Sequence, residues 1–201
     1  MSNIIYTYNN DLYINLTNKC PCACIFCIRS QRDGVGSADS LWLENEPTAE
    51  QVIDEIKKLD LSRYDEVVFC GFGEPLCALD NLLEILRYLR RENAPHIRIN
   101  TNGLGDLVNQ KQTAPLLEGL VDTISISLNA PDAEKYYEIV RPKFGVESFG
   151  AMLAFTADCK KYIKSVKLSI VDTIPLEDIE KCREIAQKIG VYLRVRNADV
   201  M

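Results

Sequence analysis

Four of the eight cysteines in this chain fall within eight consecutive residues. Cys20, Cys24 and Cys27 are spaced Cys-x3-Cys-x2-Cys, and Cys22 lies between the first two. Directly before them, residues 12–17 alternate between apolar and polar side chains, a pattern typical of a half-buried β-strand. The sequence therefore predicts a group of thiols on a loop at the end of a strand, and this loop constrains the chain more than any other segment.

Three thiolates on one short loop suit a cubane iron–sulfur cluster, because cysteine sulfur is the soft ligand that its irons prefer. The fourth iron then has no protein ligand and can bind another molecule. Structural zinc is the main alternative, although zinc sites usually have two Cys-x2-Cys pairs separated by a longer loop. Cys22 could replace Cys20 as a ligand, or it could be a spare thiol.

Composition narrows the class of protein. The 201 residues are 47% hydrophobic, which is enough for one core, and we predict a single domain over residues 1–201. The net charge of −6 and the pI of about 5.0 argue against nucleic acid as a partner. No run of ~18 apolar residues predicts a membrane-spanning helix. Residues 1–10 do not resemble a signal peptide, so a cytoplasmic location is expected and a disulfide framework is not.

Six apolar segments with strand patterns alternate with segments of helical periodicity along the whole chain. Thr48 followed by Gln51 has the spacing of a helix-capping box. Such alternation predicts parallel strands joined by right-handed helical crossovers, and the length is short for a closed eight-unit barrel of ~250 residues. The predicted fold is therefore α/β, an open partial (βα)6 barrel with parallel strands. Its strands are expected at residues 12–17, 66–70, 97–100, 123–128, 166–171 and 191–195, and its helices at residues 48–59, 79–91, 113–120, 132–140, 146–162 and 176–189.

Every unusual motif follows one of these strands, and the carboxyl ends of parallel barrel strands are where functional residues gather. Besides the cysteine loop, these motifs are Gly71-Phe72-Gly73-Glu74-Pro75, Thr101-Asn102-Gly103, and Ser127 with Asn129. Glycines permit close approach of backbone to a ligand, and carbonyl or carboxylate oxygens can accept from an ammonium group. Arg194 and Arg196, at the end of the last strand, could hold a carboxylate.

The segment Cys20-x3-Cys24-Ile25-Phe26-Cys27 resembles the signature of the radical S-adenosylmethionine (radical SAM) enzymes. The resemblance implies that Cys20, Cys24 and Cys27 bind a [4Fe-4S] cluster whose open iron binds S-adenosylmethionine. Reduction of the cluster then cleaves this cofactor to a 5′-deoxyadenosyl radical, which abstracts a hydrogen atom from a substrate. It also implies cofactor contacts for Phe26 at the adenine, for Gly71, Gly73, Glu74 and Pro75 at the amino group, and for Asn102, Ser127, Asn129 and Arg194; no catalytic residue is assigned.

Several further segments resemble the small radical SAM proteins named for their association with TatD-family nucleases. They include Arg141-Pro142-Lys143-Phe144-Gly145 and the strand end from Ser125 to Ala130. That association assigns no substrate, and a peptide or protein is as acceptable as a metabolite. The implied reductant is an electron donor such as flavodoxin or ferredoxin. The alternative function is a non-catalytic iron–sulfur or zinc-binding module, for which the Gly-Glu-Pro turn would be idle.

Overall fold

The computed structural model describes residues 4–197, which form one seven-stranded sheet with the strands in sequence order. The first two strands pair antiparallel, and every later pair is parallel. The first and last strands do not pair with each other, so the sheet is open, as predicted. The strands are β1 (Ile5–Tyr8), β2 (Asp11–Ile14), β3 (Glu66–Phe69), β4 (His96–Thr101), β5 (Thr123–Ser127), β6 (Ser165–Val171) and β7 (Tyr192–Arg196).

Within the described residues, six α-helices connect the parallel strands. The capping box at Thr48 forms, because the Thr48 hydroxyl accepts from the Gln51 N–H and the Gln51 side chain accepts from the Thr48 N–H. No helix between residues 4 and 197 has both the length and the apolar character of a membrane span. The helices are α1 (Ala49–Ile56), α2 (Leu79–Arg91), α3 (Gly105–Asn109), α4 (Ala133–Val140), α5 (Ser148–Tyr162) and α6 (Leu176–Ile189).

The sequence prediction missed one strand and one helix, α3 (Gly105–Asn109), and it placed one α-helix where none forms. A seventh strand, β1, pairs with β2 through a turn in which Asn9 has φ 54°. The helix expected at residues 113–120 is only a 3₁₀ turn, Ala114–Leu117. Pro115 lacks the N–H of a regular helix, and Gly119, with φ 70°, turns the chain away after it.

One face of the parallel sheet is apolar and covered by helices. Ile14, Phe69, Ile99 and Ile124 are register partners across β2 to β5 and are fully buried. They belong to the same hydrophobic cluster as the inward residues of α1, α2, α5 and α6. Burial of this face supplies most of the driving force for the fold.

The opposite face of the sheet is polar. Asn100 pairs in register with Ser125, and Ser127 pairs with Ser169, which in turn pairs with Arg194. Because successive side chains of a strand point to opposite faces, these residues share the side away from the helices. The open barrel therefore has a hydrophilic interior, which suits a polar ligand.

Candidate functional site

The cysteine loop follows β2 and is fastened to the end of α4. The Ala23 N–H donates to the Val140 carbonyl at 3.1 Å, and the Ile25 N–H donates to the Ile139 carbonyl at 3.0 Å. The Lys143 N–H donates to the Pro21 carbonyl at 2.8 Å. The carbonyls of Val140 and Ile139 lie in the last turn of α4 and have no hydrogen-bond donor within the helix, so the cysteine loop supplies their donors.

The four cysteines of this loop differ in burial. Cys22 is 5% exposed and belongs to the hydrophobic core, whereas Cys20, Cys24 and Cys27 are partly exposed. Burial of Cys22 favours its reading as a core thiol. Within residues 4–197, no three His, Cys, Asp or Glu side chains converge on the position of one metal ion. A cubane cluster needs no such convergence, because each thiolate binds a different iron.

Hydrogen bonding within the loop separates the acidities of the thiols. Hydrogen bonding with the neighbouring Cys22 thiol, which has one proton to donate, lowers the pKa of Cys20 to about 6 and also lowers the pKa of Cys24. The same two contacts raise the pKa of Cys22, and burial raises the pKa of Cys27. The thiolate is the metal-binding form of cysteine, and the lowered pKa values of Cys20 and Cys24 favour that form.

Glu74 links the cysteine loop to the end of β4. Its side chain is 3% exposed and accepts from the Thr101 hydroxyl at 2.7 Å, the Asn102 N–H at 2.7 Å and the Leu76 N–H at 3.1 Å. Its own N–H donates to the Lys19 carbonyl at 2.8 Å. Burial, with a contribution from the negative charge of Cys20, raises the pKa of Glu74 to about 7. Glu74 thus holds together the three segments on which the predicted contacts lie.

The two glycines before Glu74 are required by packing within the protein. A Cβ at Gly71 would lie 1.9 Å from Oδ1 of Asn15, and a Cβ at Gly73 would lie 2.1 Å from the Thr17 carbonyl oxygen. Pro75 begins the 3₁₀ helix Pro75–Ala78, where its missing N–H costs nothing. Close approach of this turn to a ligand stays a prediction; within the protein, the turn lies against Asn15, Thr17 and Lys19.

Asn102 reaches the cysteine loop directly. Its Nδ2 lies 3.8 Å from Sγ of Cys20, and its Oδ1 accepts from the Leu104 N–H at 2.9 Å. The sequence motif thus brings an amide donor to one of the predicted cluster ligands. Phe26 is partly exposed within the loop, and its carbonyl accepts from Nε2 of Gln31 at 3.4 Å.

The remaining predicted residues lie on or just beyond the later strands. Ser127 ends β5, and Arg194 lies two strands away at the same level, a separation of roughly 10 Å between strands. Arg194 is exposed and stands in the middle of β7; Arg196 ends that strand. Among the described residues, no hydrogen bond joins Ser127, Asn129 or Arg194 to the cysteine loop. The structure therefore brings Cys20, Glu74 and Asn102 together and leaves the other three around the interior.

Asn129 has an unusual environment. It is buried, its φ is 57°, and its Oδ1 has no hydrogen-bond partner. An unpaired buried carbonyl oxygen is costly and calls for a donor from outside the chain. A ligand with an N–H or O–H group bound in the barrel mouth would supply one.

Sequence reasoning missed several residues of this site. Thr101, one of the three donors to Glu74, was read only as part of a turn. Arg98 and Asn100 were read as plain strand residues, yet Arg98 donates to Oδ1 of Asn100 at 3.0 Å on the polar face. The available signal was the two-residue period of polar side chains, such as Arg98, Asn100 and Asn102, in strands otherwise buried on both faces.

Comparison with known proteins identifies the family. The sequence model described as the Radical SAM superfamily matches residues 14–189. The chain belongs to the radical SAM superfamily. Members of this superfamily are enzymes that use a [4Fe-4S] cluster and S-adenosylmethionine, so these are the cofactors of this radical SAM protein.

Curated relatives carry out different reactions. GTP 3′,8-cyclase of Corynebacterium glutamicum is 33% identical over 143 residues, covering 65% of this chain and 34% of the cyclase. The probable dual-specificity RNA methyltransferase RlmN of Streptococcus mutans is 27% identical over 188 residues, covering 85% of this chain and 48% of the methyltransferase. This radical SAM chain thus spans between a third and a half of the length of these relatives.

Solved structures support the fold. The crystal structure of Streptococcus suis SuiB matches with a TM-score of 0.68 and 16% identity, covering 94% of this chain and 40% of SuiB. Methylornithine synthase (PylB) matches with a TM-score of 0.62 and 14% identity, covering 97% of this chain and 54% of the synthase. Identities this low show a shared open parallel barrel only.

The residues of the site fit the superfamily cofactors. Three partly exposed thiols lie on one loop, as three ligands of a cubane cluster require. The barrel mouth beside them is polar, and Asn129 presents a buried oxygen that needs a donor. Both observations concern this chain alone and agree with the family match.

Proposed function

We propose that this chain is a single radical SAM catalytic domain, residues 1–201, acting on a substrate that is not yet identified. When bound, the cluster and S-adenosylmethionine supply a 5′-deoxyadenosyl radical that abstracts a hydrogen atom from that substrate. The observation that carries the proposal is the set of partly exposed thiols Cys20, Cys24 and Cys27 next to the buried Glu74 turn. A cytoplasmic location remains a prediction.

In this proposal each predicted residue has one task. Cys20, Cys24 and Cys27 hold the cluster. The Glu74 carboxylate has three donors within the protein, so its task would be to fix the turn. The backbone of Gly71, Gly73 and Pro75 would bind the cofactor amino group. The other predicted contacts are Asn102 beside Cys20, Phe26 at the adenine, and Ser127, Asn129 and Arg194 along the interior.

The first test is anaerobic reconstitution, with iron and sulfide analysis, electron paramagnetic resonance of the reduced cluster, and an assay for 5′-deoxyadenosine with dithionite. About four irons per chain and a spectrum changed by S-adenosylmethionine support the proposal. Cys24→Ser should abolish the cluster, and Cys182→Ser, a buried cysteine on α6, is the matched control. A cluster whose spectrum is unchanged by S-adenosylmethionine, or bound zinc in place of the cluster, would support the non-catalytic module instead.

The substrate class has two candidates. The resemblance to TatD-associated proteins remains a prediction and names no substrate; a peptide or protein fits an open barrel mouth. The RlmN relatives favour RNA as a second candidate and weaken the argument from net charge, which alone had disfavoured nucleic acid. Binding of total RNA that weakens steeply with salt would support the second candidate, and no binding at low salt would remove it.

A further inference from the structure

The last strand carries two arginines on the polar face of the sheet. Arg194 and Arg196 are two residues apart on β7, so their side chains share the side that faces the barrel interior. Leu193, between these positions and the start of the strand, is buried in the hydrophobic cluster on the other side. Arg194 pairs in register with Ser169, which pairs with Ser127. We call Arg194 and Arg196 the arginine pair; the register neighbours of Arg194 are serines and not carboxylates.

Arg196 reaches deep into the interior. Its Nε atom is buried, and its guanidinium lies close enough to Cys70 and Arg98 for their charges to act on it. Cys70 directly follows β3 and Arg98 lies in β4. In the order of the sheet, β3 is four strand spacings from β7, a separation of roughly 19 Å along the sheet. The sheet therefore curls so that β7 faces β3 and β4 across the interior.

Two guanidinium groups of like charge lie near each other at this point. Burial is the main reason that the pKa of Arg196 is lowered; the positive charges of Arg194 and Arg98 lower it further, against an opposing effect of Cys70. Arg194 forms no ion pair with any residue between 4 and 197. Like charges brought together by burial are costly, and an anion bound beside them would relieve that cost.

The interior carboxylates are bound elsewhere. Glu66 and Asp11 both hold Arg98, whose Nε lies 2.7 Å from Oε2 of Glu66 and whose Nη2 lies 3.6 Å from Oδ2 of Asp11. Glu74 accepts from three donors of its own, and Asp172, which follows β6, is exposed. No residue of β5, β6 or β7 is an aspartate or a glutamate. In a chain of net charge −6, this wall of the interior is suited to an anion from outside the chain.

We propose that the arginine pair binds a phosphate group of the substrate, which makes the substrate a phosphorylated small molecule. This inference rests on the proposed function and narrows its substrate class. A phosphate monoester carries a charge of about −2 at pH 7 and three acceptor oxygens, which match two guanidinium groups, whereas a carboxylate brings a single charge. Ser127 and Ser169, at the level of Arg194, are further hydroxyl donors. Arg194 is also a predicted cofactor contact, so the test has to separate the two ligands.

The test is isothermal titration calorimetry of the reconstituted protein with inorganic phosphate, at constant ionic strength and with S-adenosylmethionine present. Arg196→Gln should weaken phosphate binding about tenfold, because it removes one of the two charges. Arg196→Lys should weaken it less, since the charge remains and only the two-pronged donor geometry is lost. Arg194→Gln changes an exposed residue that the fold does not depend on, and it should also weaken binding about tenfold.

The matched control is Arg87→Gln, which removes the same charge from an exposed position on α2, in the outer layer of helices. Its affinity for phosphate should equal that of the unaltered protein. Far-UV circular dichroism and the iron content establish whether each variant is folded. Acetate, titrated in the same way, should bind more weakly than phosphate because it has one negative charge.

Equal phosphate affinities in Arg194→Gln, Arg196→Gln and Arg87→Gln would overturn the inference. Acetate binding as tight as phosphate binding would also overturn it. So would loss of S-adenosylmethionine binding in Arg196→Gln with phosphate binding retained, because the arginine pair would then hold the cofactor. Failure of the unaltered protein to cleave S-adenosylmethionine with dithionite would instead contradict the proposed function. Phosphate titration of the cluster-free protein is independent of that result, since β7 contains no cysteine.

Discussion

Gly73 offers the sharpest test of how the fold positions the cysteine loop. Gly73→Ala would set a methyl group 2.1 Å from the Thr17 carbonyl oxygen and 2.8 Å from that of Lys19. The first distance is more than 1 Å short of the 3.4 Å at which ordinary contact begins. Both obstacles are backbone atoms, which cannot rotate away as a side chain can, so the cysteine loop itself must move.

Overpacking of this kind costs about 3 kcal/mol. For a domain of this size we expect the melting temperature of the cluster-free protein to fall by about 10 °C. The displaced loop should also take up less iron on reconstitution. Differential scanning calorimetry and iron analysis on the same preparation measure both effects.

The matched control is Gly150→Ala. Gly150 lies in α5, where an added Cβ has no neighbour within 4 Å. Alanine is the better helix former, so this variant should gain about 0.5 kcal/mol and keep its iron. If Gly73→Ala had the same melting temperature as the unaltered protein and bound the full amount of iron, packing against the cysteine loop would not be the reason for glycine at this position.

Four further substitutions test individual contacts by urea unfolding of the cluster-free protein. Tyr136→Phe removes a buried hydroxyl that has no hydrogen-bond partner, so the free energy of unfolding should stay unchanged or rise by about 1 kcal/mol. Tyr6→Phe removes a 3.1 Å hydrogen bond to the Cys70 carbonyl, so the free energy of unfolding should fall by about 1 kcal/mol. Because the pKa of Glu74 is raised in the folded protein, its contribution to folding stability is complete below about pH 4.3 and is lost as the pH rises through 7. The stability of Glu74→Gln relative to the unaltered protein should therefore increase by about 3 kcal/mol between pH 4 and pH 8. A stability difference that stays constant over this pH range would contradict the prediction. Thr48→Ala removes the helix cap and should cost about 1 kcal/mol, with loss of helical signal confined to α1.

Local sequence patterns were enough to predict most of the fold. The bounds predicted for α2 and α6 agree with the structure at both ends, because their apolar stripes and flanking residues are signals within the helices themselves. In the loop segment around Trp42, Leu41 and Leu43 are buried and Trp42 packs against Phe72, as the local apolar cluster Leu41-Trp42-Leu43 favours. The family signature was also local, since its three cysteines lie within eight residues.

What could not be predicted depends on partners distant in sequence. The pairing of β1 has only four residues, and their alternation is too short to distinguish a strand from a loop. Glu74 accepts hydrogen bonds from Thr101 and Asn102, which lie more than 25 residues away in sequence. The sequence could therefore predict a functional turn, but it could not predict that the Glu74 carboxylate is bound by donors within the protein. The unpaired Oδ1 of Asn129 is likewise a property of packing.

Hydrogen bonds to neighbouring segments fix the geometry of the cysteine loop before any ligand binds. On one side the Lys19 carbonyl accepts from Glu74, and on the other the Pro21 carbonyl accepts from Lys143. These anchors enclose Cys20, and Asn102 reaches the same residue from β4. A site whose ligands are held by surrounding contacts loses less conformational entropy on binding than a free loop would. The segments around the cysteines, more than the cysteines alone, therefore set how readily this loop accepts its cluster.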